Sequence, residues 1–402
     1  MAKVAIVSSI PIFPLIGGNR ARILALSNGI AKLGHEPFFV YLPSRKEAID
    51  VQAHADHFGR NRFLRAVNPG MTGDFRQFIR NRFPSMLRNA IQLAGIDRFH
   101  YRDLDRGFNK AWLPQIREFV GDADVCLIEY VFNSLAFDAF SPMSKRLLDT
   151  HDSFADRHVK YATQGLRRGY WISLRPEQEE KGLRRADTVI AIQHSEAALF
   201  RSQIEHEKGG NGPEIRVVSH FLDVAGDRCD TQLDNTAVFV GSDNPANAQA
   251  LAHFCDKLFP QVLARSPSFR LTVAGRACNL IPDHPNVMKL GVVAHQREAF
   301  RYGSFSISPM LAGTGISIRL LDAMAAGLPM VSTETGARGV PLEYRNGMIC
   351  VADDDHAGFV DAVLGLGDSA PKREELARAA LSDARRWNET QLASLEYCIS
   401  GG

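Results

Sequence analysis

Residues 311–327, LAGTGISIRLLDAMAAG, decide the fold class of this chain. The apolar run before them, FSISPM, is typical of a buried strand, and LPMVST after them is typical of the next strand. A Gly-Thr-Gly turn between strand and helix predicts a βαβ unit with a glycine-rich first turn. Such a turn exposes backbone N–H groups at the positive end of a helix, where a phosphate group is stabilised. A phosphorylated ligand is therefore the first expectation.

The same alternation of apolar runs with helical stretches extends from this unit in both directions. The strand-like runs before residue 220 are VAIVSS, HEPFFVYLP, DVCLIEY, RLLDTHD, DTVIAI and IRVVSH. Those after residue 235 are TAVFVGS, FRLTVAG, NVMKLGVV, FSISPM, LPMVST and MICVAD. Uninterrupted apolar strands embedded among helices predict parallel sheets that are covered on both faces. Because the polar stretch 220–235 separates the two series, two Rossmann-like α/β domains are predicted.

Length and composition agree with two domains. At 402 residues the chain is too long for one ordinary core, and 45% hydrophobic with 23% charged residues is typical of a globular protein. We expect the first domain to span 1–222 and the second 223–384. The C-terminal helical run is longer than one sheet needs, so residues 385–402 are expected to pack back onto the first domain.

Charge and cysteine content exclude several classes of function. A formal net charge of +2 gives no indication of nucleic-acid binding by the whole surface. The six cysteines are scattered without a C-x-x-C pair, which predicts neither a zinc site nor a disulfide framework. The apolar run at the N-terminus is short and interrupted by proline, so no membrane span is predicted there and a cytoplasmic location is expected.

The motifs resemble those of a known family. From VFVGS (238–242) to GVPLEYRNGMICV (339–351), the chain is similar to the retaining GT-B glycosyltransferases of family four, and GTGISIRLLDAMAAGLPMVSTETGARG matches their donor-site pattern in order and spacing. IPIFPLIGGNRARILALSNGIAKLGHE and LLDTHDSFADR resemble the N-terminal half of that family. The resemblance implies an α/β GT-B architecture, in which two Rossmann-like domains face each other across a cleft.

The resemblance also implies roles for individual residues. Arg319 would stabilise the negative charge that grows on the leaving phosphate, and His151 would contact the donor sugar or the reacting groups; both are catalytic candidates. Donor binding is assigned to Gly17, Gly18, Arg276, Val293, Gly313, Thr314, Gly315, Ile316 and Asp322. Acceptor binding is assigned to Glu129, Asn19 and Arg20.

Other interpretations of these residues remain open. Arg319 is also compatible with a solvated helix arginine, and Arg276 with a surface-loop arginine. His151 is also compatible with a core histidine satisfied by Asp149 or Asp152. The family often supplies an arginine and a lysine from the turn after the first strand of the donor domain, whereas VGSDNPANAQA has neither. Arg276, Arg319 and backbone dipoles would then have to meet the phosphate charge.

A basic, aromatic-rich segment interrupts the first domain. Residues 51–118 contain twelve Arg or Lys against six Asp or Glu, and residues 157–185 contain eight against three. Peripheral contact with an anionic membrane that carries a lipid-linked acceptor is one interpretation. A solvated helical insertion is the other.

The predicted function is therefore transfer of a sugar, with retention and without a metal, from a nucleotide-diphosphate donor. The acceptor would be a glycan or a lipid-linked molecule in cell-surface polysaccharide or glycolipid synthesis. This is a hexosyltransferase-type activity with no cofactor besides the nucleotide-sugar substrate, no metal and no nucleic-acid partner. Two alternatives stay open, namely a non-catalytic GT-B homologue that acts as a partner protein, and a nucleotide-sugar epimerase.

Overall fold

The computed structural model describes residues 1–43, 47–68, 100–163, 170–205, 212–224, 226, 233–293, 295–313 and 315–401. The chain divides into two compact units. The N-terminal unit comprises Met1–His220 and Gln391–Gly402, and the C-terminal unit comprises Phe221–Thr390. In the part of the chain so described, no helix combines the length and the apolar character that crossing a bilayer would need.

A seven-stranded parallel sheet forms the centre of the N-terminal unit, in the order β3-β2-β1-β4-β5-β6-β7. Its strands are β1 (Lys3–Ser8), β2 (Glu36–Tyr41), β3 (Phe63–Arg65), β4 (Val125–Glu129), β5 (Lys145–Asp149), β6 (Thr188–Ala191) and β7 (Glu214–Val217). The middle strands are apolar along nearly their whole length because helices cover both faces of a parallel sheet. Residues of β1, β4 and β6 are accordingly almost all buried.

Helices and short helical turns connect these strands. Among the described residues of this unit, the α-helices are Gly18–Lys32, Val51–Phe58, Trp112–Val120, Arg157–Thr163, Pro176–Leu183 and His194–Glu205. The 3-10 helices are Arg60–Arg62, Leu104–Gly107 and Val131–Ala139. The last helix of the chain also ends in this unit, where the Oε1 atom of Gln391 accepts a hydrogen bond from the backbone N of Ser219 at 2.6 Å.

A six-stranded parallel sheet forms the C-terminal unit, in the order β10-β9-β8-β11-β12-β13. Its strands are β8 (Thr236–Val240), β9 (Arg270–Ala274), β10 (Val287–Gly291), β11 (Phe305–Ser308), β12 (Met330–Thr333) and β13 (Met348–Val351). The helices are Pro245–His253, Phe259–Arg265, Gln296–Phe300, Ile318–Ala325, His356–Asp368 and Ala370–Ser400, with a π-helical turn at Phe254–Leu258 and 3-10 turns at Arg276–Leu280 and Leu342–Tyr344.

Both sheets confirm the predicted parallel α/β class, and both have a point where the chain order reverses. In the N-terminal unit β1 lies between β2 and β4, and in the C-terminal unit β8 lies between β9 and β11. At such a point the connections from two neighbouring strands, β1 and β4 or β8 and β11, leave in opposite directions. A crevice opens at the carboxyl ends of these strands, and ligands of α/β proteins bind there. Candidate ligand-binding residues are therefore expected near the reversal point of each sheet.

One local prediction was wrong. The glycines at 313 and 315 do not open the helix directly, because the helix begins at Ile318. The backbone N of Ser317, which would otherwise be the first helical donor to face a ligand, donates instead to the carbonyl of Arg338 at 3.2 Å.

Candidate functional site

Arg319 lies at the reversal point of the C-terminal sheet. Its Nε donates to the carbonyl oxygen of Val240, the last residue of β8, and its Nη1 lies 3.3 Å from Sδ of Met310, just beyond β11. Nη2 donates to Oδ1 of Asn247 at 2.6 Å, and the guanidinium carbon lies 4.0 Å from the centre of the Phe239 ring. These contacts hold the side chain at the two strand ends where a ligand is expected.

The positive charge of Arg319 has no negative partner in the described part of the chain. Its hydrogen bonds go to a carbonyl, an amide oxygen and a thioether, and no carboxylate of a described residue forms an ion pair with it. Burial, together with the repulsion of Arg338, lowers its pKa to about 9. A cation held in this way is destabilised when the site is empty and gains most from an anionic ligand.

Arg338 is a residue of this site that the sequence interpretation did not single out. Its guanidinium packs over Gly313, where a Cβ atom would lie 2.6 Å from Cζ of Arg338. Nη1 also donates to the carbonyl of Thr335 at 3.1 Å. We call Gly313, Gly315, Arg319 and Arg338 the arginine turn, since two guanidinium groups near enough to repel each other lie around the loop before the helix Ile318–Ala325.

The other residues assigned to donor binding in this unit differ in how accessible they are to a ligand. Gly315 has a left-handed backbone with φ 70°, and the side of its Cα where a Cβ would stand faces open space. Ile316 is buried, so only its main chain is open to a ligand role. Val293 follows β10 and is partly buried. Thr314 lies outside the described residues.

Asp322 lies one helical turn beyond Arg319. Burial, with a contribution from the charge of Asp223, raises the pKa of Asp322 to about 7. The carboxyl group is thus neutral for part of the population near neutral pH. With its proton the carboxyl group can both donate to and accept from ligand hydroxyls, and without it the group only accepts.

Arg276 differs from the other two arginines because it already has an acidic partner. Its Nε donates to Oδ1 of Asp243 at 2.9 Å, and its side chain is 64% exposed. Both residues follow strands of the C-terminal sheet, so the pair lies at the expected edge. An exposed ion pair of this kind contributes little energy, and Arg276 remains able to exchange Asp243 for another anion.

His151 lies within a compact polar cluster at the carboxyl ends of β4 and β5, next to the reversal point of the N-terminal sheet. We call Arg22, Glu129, Asp149 and His151 the His151 cluster. The Nε2 atom of His151 hydrogen-bonds Oε2 of Glu129 and lies 3.3 Å from Oδ2 of Asp149. Arg22 donates its Nε and Nη2 to the two oxygens of Asp149 at 2.7 and 2.6 Å. Glu129 ends β4 and Asp149 ends β5, so adjacent parallel strands deliver both carboxyl groups to the same edge.

The cluster contains one ionised pair and one neutral pair. Burial and the charge of Asp149 raise the pKa of Glu129 well above its usual range. Burial, assisted by the charge of Arg22, lowers the pKa of His151 to about 4. Although burial opposes it, Arg22 holds the pKa of Asp149 below its usual value. Glu129 therefore keeps its proton, and its carboxyl group hydrogen-bonds both Nε2 of His151 and the carboxylate of Asp149.

Glu129, Asp149 and His151 also have the composition of a metal site. Their ligand atoms all lie within 4.8 Å of one another. The Arg22 guanidinium already occupies both oxygens of Asp149, however, and its positive charge would oppose a cation beside it. The arrangement favours a proton-sharing role over metal binding, and the absence of a metal cofactor stays a prediction.

Glu129 is fully buried, with 0% of its surface exposed. The expectation that it binds the acceptor directly was therefore wrong for this arrangement, because no part of its side chain is accessible to a ligand. Its Oε1 atom and Nη1 of Arg22 are buried without a hydrogen-bond partner among the described residues, so the cluster keeps unused capacity for polar atoms.

The candidate residues around the start of the first helix differ in exposure, since Gly17 and Gly18 are exposed and Arg20 is buried. Gly17 caps the helix Gly18–Lys32, and both glycines are exposed. Arg20 is buried and donates to the carbonyls of Pro14 and Ala48 and to Glu47. These bonds use its guanidinium to fasten the loop.

Asn19 is placed differently from Arg20. Its side chain is near enough to the Tyr130 hydroxyl to lower the pKa of that group against the effect of burial, and the Tyr130 ring stacks on His151 with centroids 4.0 Å apart and planes inclined by 8°. Asn19 is thereby joined to the His151 cluster.

Comparison with known proteins agrees with this description. Residues 234–369 match the family described as glycosyl transferases group 1. That range begins just before β8 and includes the whole arginine turn. A protein of Klebsiella pneumoniae, described as an uncharacterized 44.6 kDa protein in the cps region, is 25% identical over 403 residues, which is 95% of each chain.

Solved structures resemble the whole chain in fold. TarM aligns with a TM-score of 0.68 at 9% identity, over 100% of this chain and 99% of TarM. HepE of Anabaena, solved with UDP and glucose, aligns with a TM-score of 0.62 at 12% identity over 100% of both chains. Sucrose-phosphate synthase of Thermosynechococcus elongatus gives 0.62 at 15% identity, over 98% of this chain and 97% of that one. The chain thus has the GT-B fold, and residues 234–369 of its C-terminal unit match the model of the group 1 glycosyl transferases.

Proposed function

We propose that the protein transfers a sugar from a nucleotide-diphosphate donor to a glycan or lipid-linked acceptor, with retention and without a metal. The observation that carries this proposal is Arg319. It is a guanidinium at the reversal point of the C-terminal sheet, held by neutral acceptors and without a carboxylate partner among the described residues. A diphosphate is the ligand that supplies the missing charge.

The chemistry follows from where negative charge develops. When the bond between the anomeric carbon and the phosphate oxygen breaks, the electron pair stays on the leaving diphosphate. Arg338 lies beside Gly313 and is near enough to Arg319 for the two charges to repel each other, so fixed positive charge is available to that oxygen without reorganisation of solvent. Two guanidinium groups can therefore take the part that a divalent cation has in other transferases.

The N-terminal unit contributes groups suited to hydroxyls. If Nε2 accepts the proton of Glu129, the Nδ1–H of His151 is left as a donor for a sugar hydroxyl. Because the pKa of His151 is about 4, the ring stays neutral throughout the physiological range. A neutral imidazole can polarise a hydroxyl without adding charge beside Arg22.

The comparisons support the chemical class of donor and product. HepE was solved with UDP and glucose, and a mutant of S. aureus TarM was solved with Fondaparinux, α-GlcNAc-glycerol and UDP. The Klebsiella relative belongs to a cps region, and the lipopolysaccharide outer core galactosyltransferase WaaB has the same fold, with a TM-score of 0.56. We therefore propose a place in cell-surface polysaccharide or glycolipid synthesis, with peripheral contact to the membrane that carries a lipid-linked acceptor.

The proposal is tested first by nucleotide binding. UDP, GDP, ADP and dTDP are titrated calorimetrically into the wild-type chain, Arg319→Ala, Arg319→Lys and the control Arg265→Ala, whose side chain is an exposed surface arginine of the same unit. We expect one diphosphate to bind, with a loss of about 30-fold or more for Arg319→Ala, since a charge-assisted contact is worth roughly 2 kcal/mol or more. If no nucleotide binds the wild-type chain, the proposal fails.

Product analysis then separates transfer from the alternatives. The corresponding nucleotide sugar is incubated with the protein alone, and the released nucleotide and sugar are identified. Slow hydrolysis with the anomeric configuration retained supports a retaining transferase. Epimerised nucleotide sugar would instead indicate an epimerase, and binding without any turnover in the presence of varied glycan acceptors would indicate a non-catalytic homologue.

A further inference from the structure

Trp171 presents an exposed indole on a rigid aromatic base. Its side chain is 53% exposed, whereas the two other tryptophans of the chain, Trp112 and Trp387, are 5% and 2% exposed. Three rings pack against it with steeply inclined planes, in an arrangement that edge-to-face contacts favour. Their centroid distances are 5.6 Å for Tyr130, 5.5 Å for Phe132 and 6.0 Å for Phe154. We call these four residues the aromatic cluster.

The backbone around this cluster is held in an unfavourable conformation. Among the described residues, five that are not glycine have positive φ, and four of them lie here: Tyr130 at 68°, His151 at 60°, Asp156 at 50° and Trp171 at 56°. Each such residue costs on the order of 1 kcal/mol, and such strain gathers where a ligand site fixes side-chain direction. The concentration of strain indicates that the position of the indole is specified.

The chain on the C-terminal side of Trp171 anchors the indole. Ile172, Ser173 and Leu174 are buried, and the backbone N of Leu174 donates to the carbonyl of Phe154 at 2.7 Å. The carbonyl of Ser173 accepts from the N of Arg102 at 2.9 Å. An exposed aromatic ring on such a base loses little conformational entropy when a ligand binds.

The aromatic cluster continues directly into the His151 cluster. Tyr130 stacks on His151 on one side and on Phe132 on the other, at 4.0 and 5.0 Å between centroids. Since Trp171 contacts both Tyr130 and Phe132, one ring separates the exposed indole from the imidazole. A ligand on the indole is therefore a near neighbour of His151.

We propose that Trp171 is the platform on which a pyranose ring of the acceptor glycan stacks. The C–H bonds on one face of a pyranose carry partial positive charge, which the electron-rich face of an indole attracts. Polar groups are attached to the same aromatic cluster, because Arg157 lies 5.1 Å from the centre of the Phe154 ring and pairs with Asp152. The mixture of one rigid ring with nearby polar groups fits a sugar better than a bilayer, which requires a continuous apolar face. This inference deepens the proposed function and rests on it, because the bound sugar is an acceptor only if the protein is a glycosyltransferase.

The test uses the indole as its own reporter, in the full chain. Methyl pyranosides of glucose, galactose, mannose and N-acetylglucosamine are titrated into the wild-type chain while tryptophan emission is recorded. Binding of the same sugars is then measured by saturation-transfer NMR for the wild-type chain and three variants, which are Trp171→Ala, Trp171→Phe and the control Tyr302→Ala. Tyr302 is an exposed aromatic residue of the other unit, with 37% exposure. We expect a saturable emission change for the wild-type chain and binding about tenfold weaker in Trp171→Ala, as the loss of one aromatic contact predicts. Trp171→Phe and Tyr302→Ala should stay within about threefold of wild type.

The outcomes distinguish this inference from the function on which it rests. Retained nucleotide binding in Trp171→Ala verifies that the variant is folded. If nucleotides bind but no pyranoside does, or if Trp171→Ala binds pyranosides as wild type, the platform is overturned and the proposed donor chemistry stands. A blue shift of Trp171 with phosphatidylglycerol vesicles in the absence of any response to pyranosides would identify a membrane contact and also overturn it. Pyranoside binding without nucleotide binding would overturn the transferase proposal instead.

Discussion

Arg22 and Asp149 form a fully buried ion pair across 127 residues of sequence, with Nε and Nη2 of the arginine 2.7 and 2.6 Å from the two carboxylate oxygens. The same Nη2 donates to the carbonyl of Val218 at 2.8 Å. One guanidinium thus ties the first helix to the end of β5 and to the segment after β7. Because the pair holds Asp149 beside His151, it is a structural support of the candidate site.

The first prediction concerns the strength of this pair. Asp149→Asn leaves Arg22 buried beside a neutral amide, so we expect a loss of about 3–5 kcal/mol in the free energy of unfolding. The matched control is Asp361→Asn, which breaks the exposed pair of Arg265 and Asp361 and should cost less than about 1 kcal/mol. Urea unfolding of both variants measures the difference. Equal losses in the two variants would show that the buried pair of Arg22 and Asp149 stabilises the fold no more than an exposed ion pair.

The second prediction concerns the proton on Glu129. If the carboxyl group is neutral, Glu129→Gln replaces it with a neutral donor of the same shape and should change the free energy of unfolding by less than about 1 kcal/mol at pH 7. If Glu129 were ionised and paired with a charged His151, the same change would remove one partner of a buried ion pair and cost about 3–5 kcal/mol. Glu129→Ala, which removes the hydrogen bond in either case, provides the reference for full loss. Urea unfolding of the three proteins decides between the two charge states.

The fold could be predicted from the sequence almost completely. Twelve of the thirteen strands described overlap an apolar run recognised in the sequence, because strands buried on both faces of a parallel sheet must be apolar throughout. The exception is β3, Phe63–Arg65, whose three residues lie in an arginine-rich segment without an apolar run. Much of that segment, residues 69–99, lies outside the described residues, so its membrane role stays a prediction.

The site was less predictable because its residues are selected by partners that are distant in sequence. Arg276 and Arg338 both follow strands and glycines, and only the structure reveals that Asp243 engages the first while the second packs on Gly313. Arg22 has the spacing of an ordinary helix residue, and its burial depends on Asp149. For His151, satisfaction by Asp149 was one open interpretation. The contact between His151 and Glu129 was not predicted, since the sequence at the end of β4 does not show which residues of the neighbouring strand lie beside Glu129.

The third prediction concerns pH. The pKa of Asp322 is raised to about 7 in the folded chain from an ordinary 3.8, so the folded state binds more protons than the unfolded state between these values. Stability from this group is complete below about pH 4 and is lost as pH rises through 7. Asp322→Asn cannot lose a proton, so its stability relative to wild type should be higher at pH 8 than at pH 5, by about 1–3 kcal/mol. Urea unfolding at both values measures this difference, and an identical effect of the substitution at pH 5 and pH 8 would contradict the raised pKa.

The fourth prediction concerns metal ions. If Arg319 and Arg338 provide the positive charge for the diphosphate, the nucleotide affinity found by calorimetry should change by less than about threefold when EDTA replaces Mg²⁺, since about 0.7 kcal/mol is within ordinary ionic effects. Arg319→Ala should then bind more weakly in both buffers. A loss of affinity in EDTA as large as that caused by Arg319→Ala would assign the diphosphate charge to a cation instead.

The last prediction isolates Arg338 through a glycine. Gly313 has φ 151°, and a Cβ there would lie 2.6 Å from Cζ and Nη2 of Arg338, so Gly313→Ala must displace that guanidinium. We expect a tenfold or greater loss of nucleotide affinity, since one charge-assisted contact is worth about 1.5 kcal/mol or more. Gly34→Ala is the control for backbone strain, because Gly34 also has positive φ, 82°, but no atom within 4 Å of its Cβ position. In the background of Arg338→Ala, Gly313→Ala should have almost no further effect on affinity, because the guanidinium that it displaces is gone. Additive losses in the double variant would show that Gly313 acts through its own backbone, and that Arg338 does not bind the diphosphate from this position.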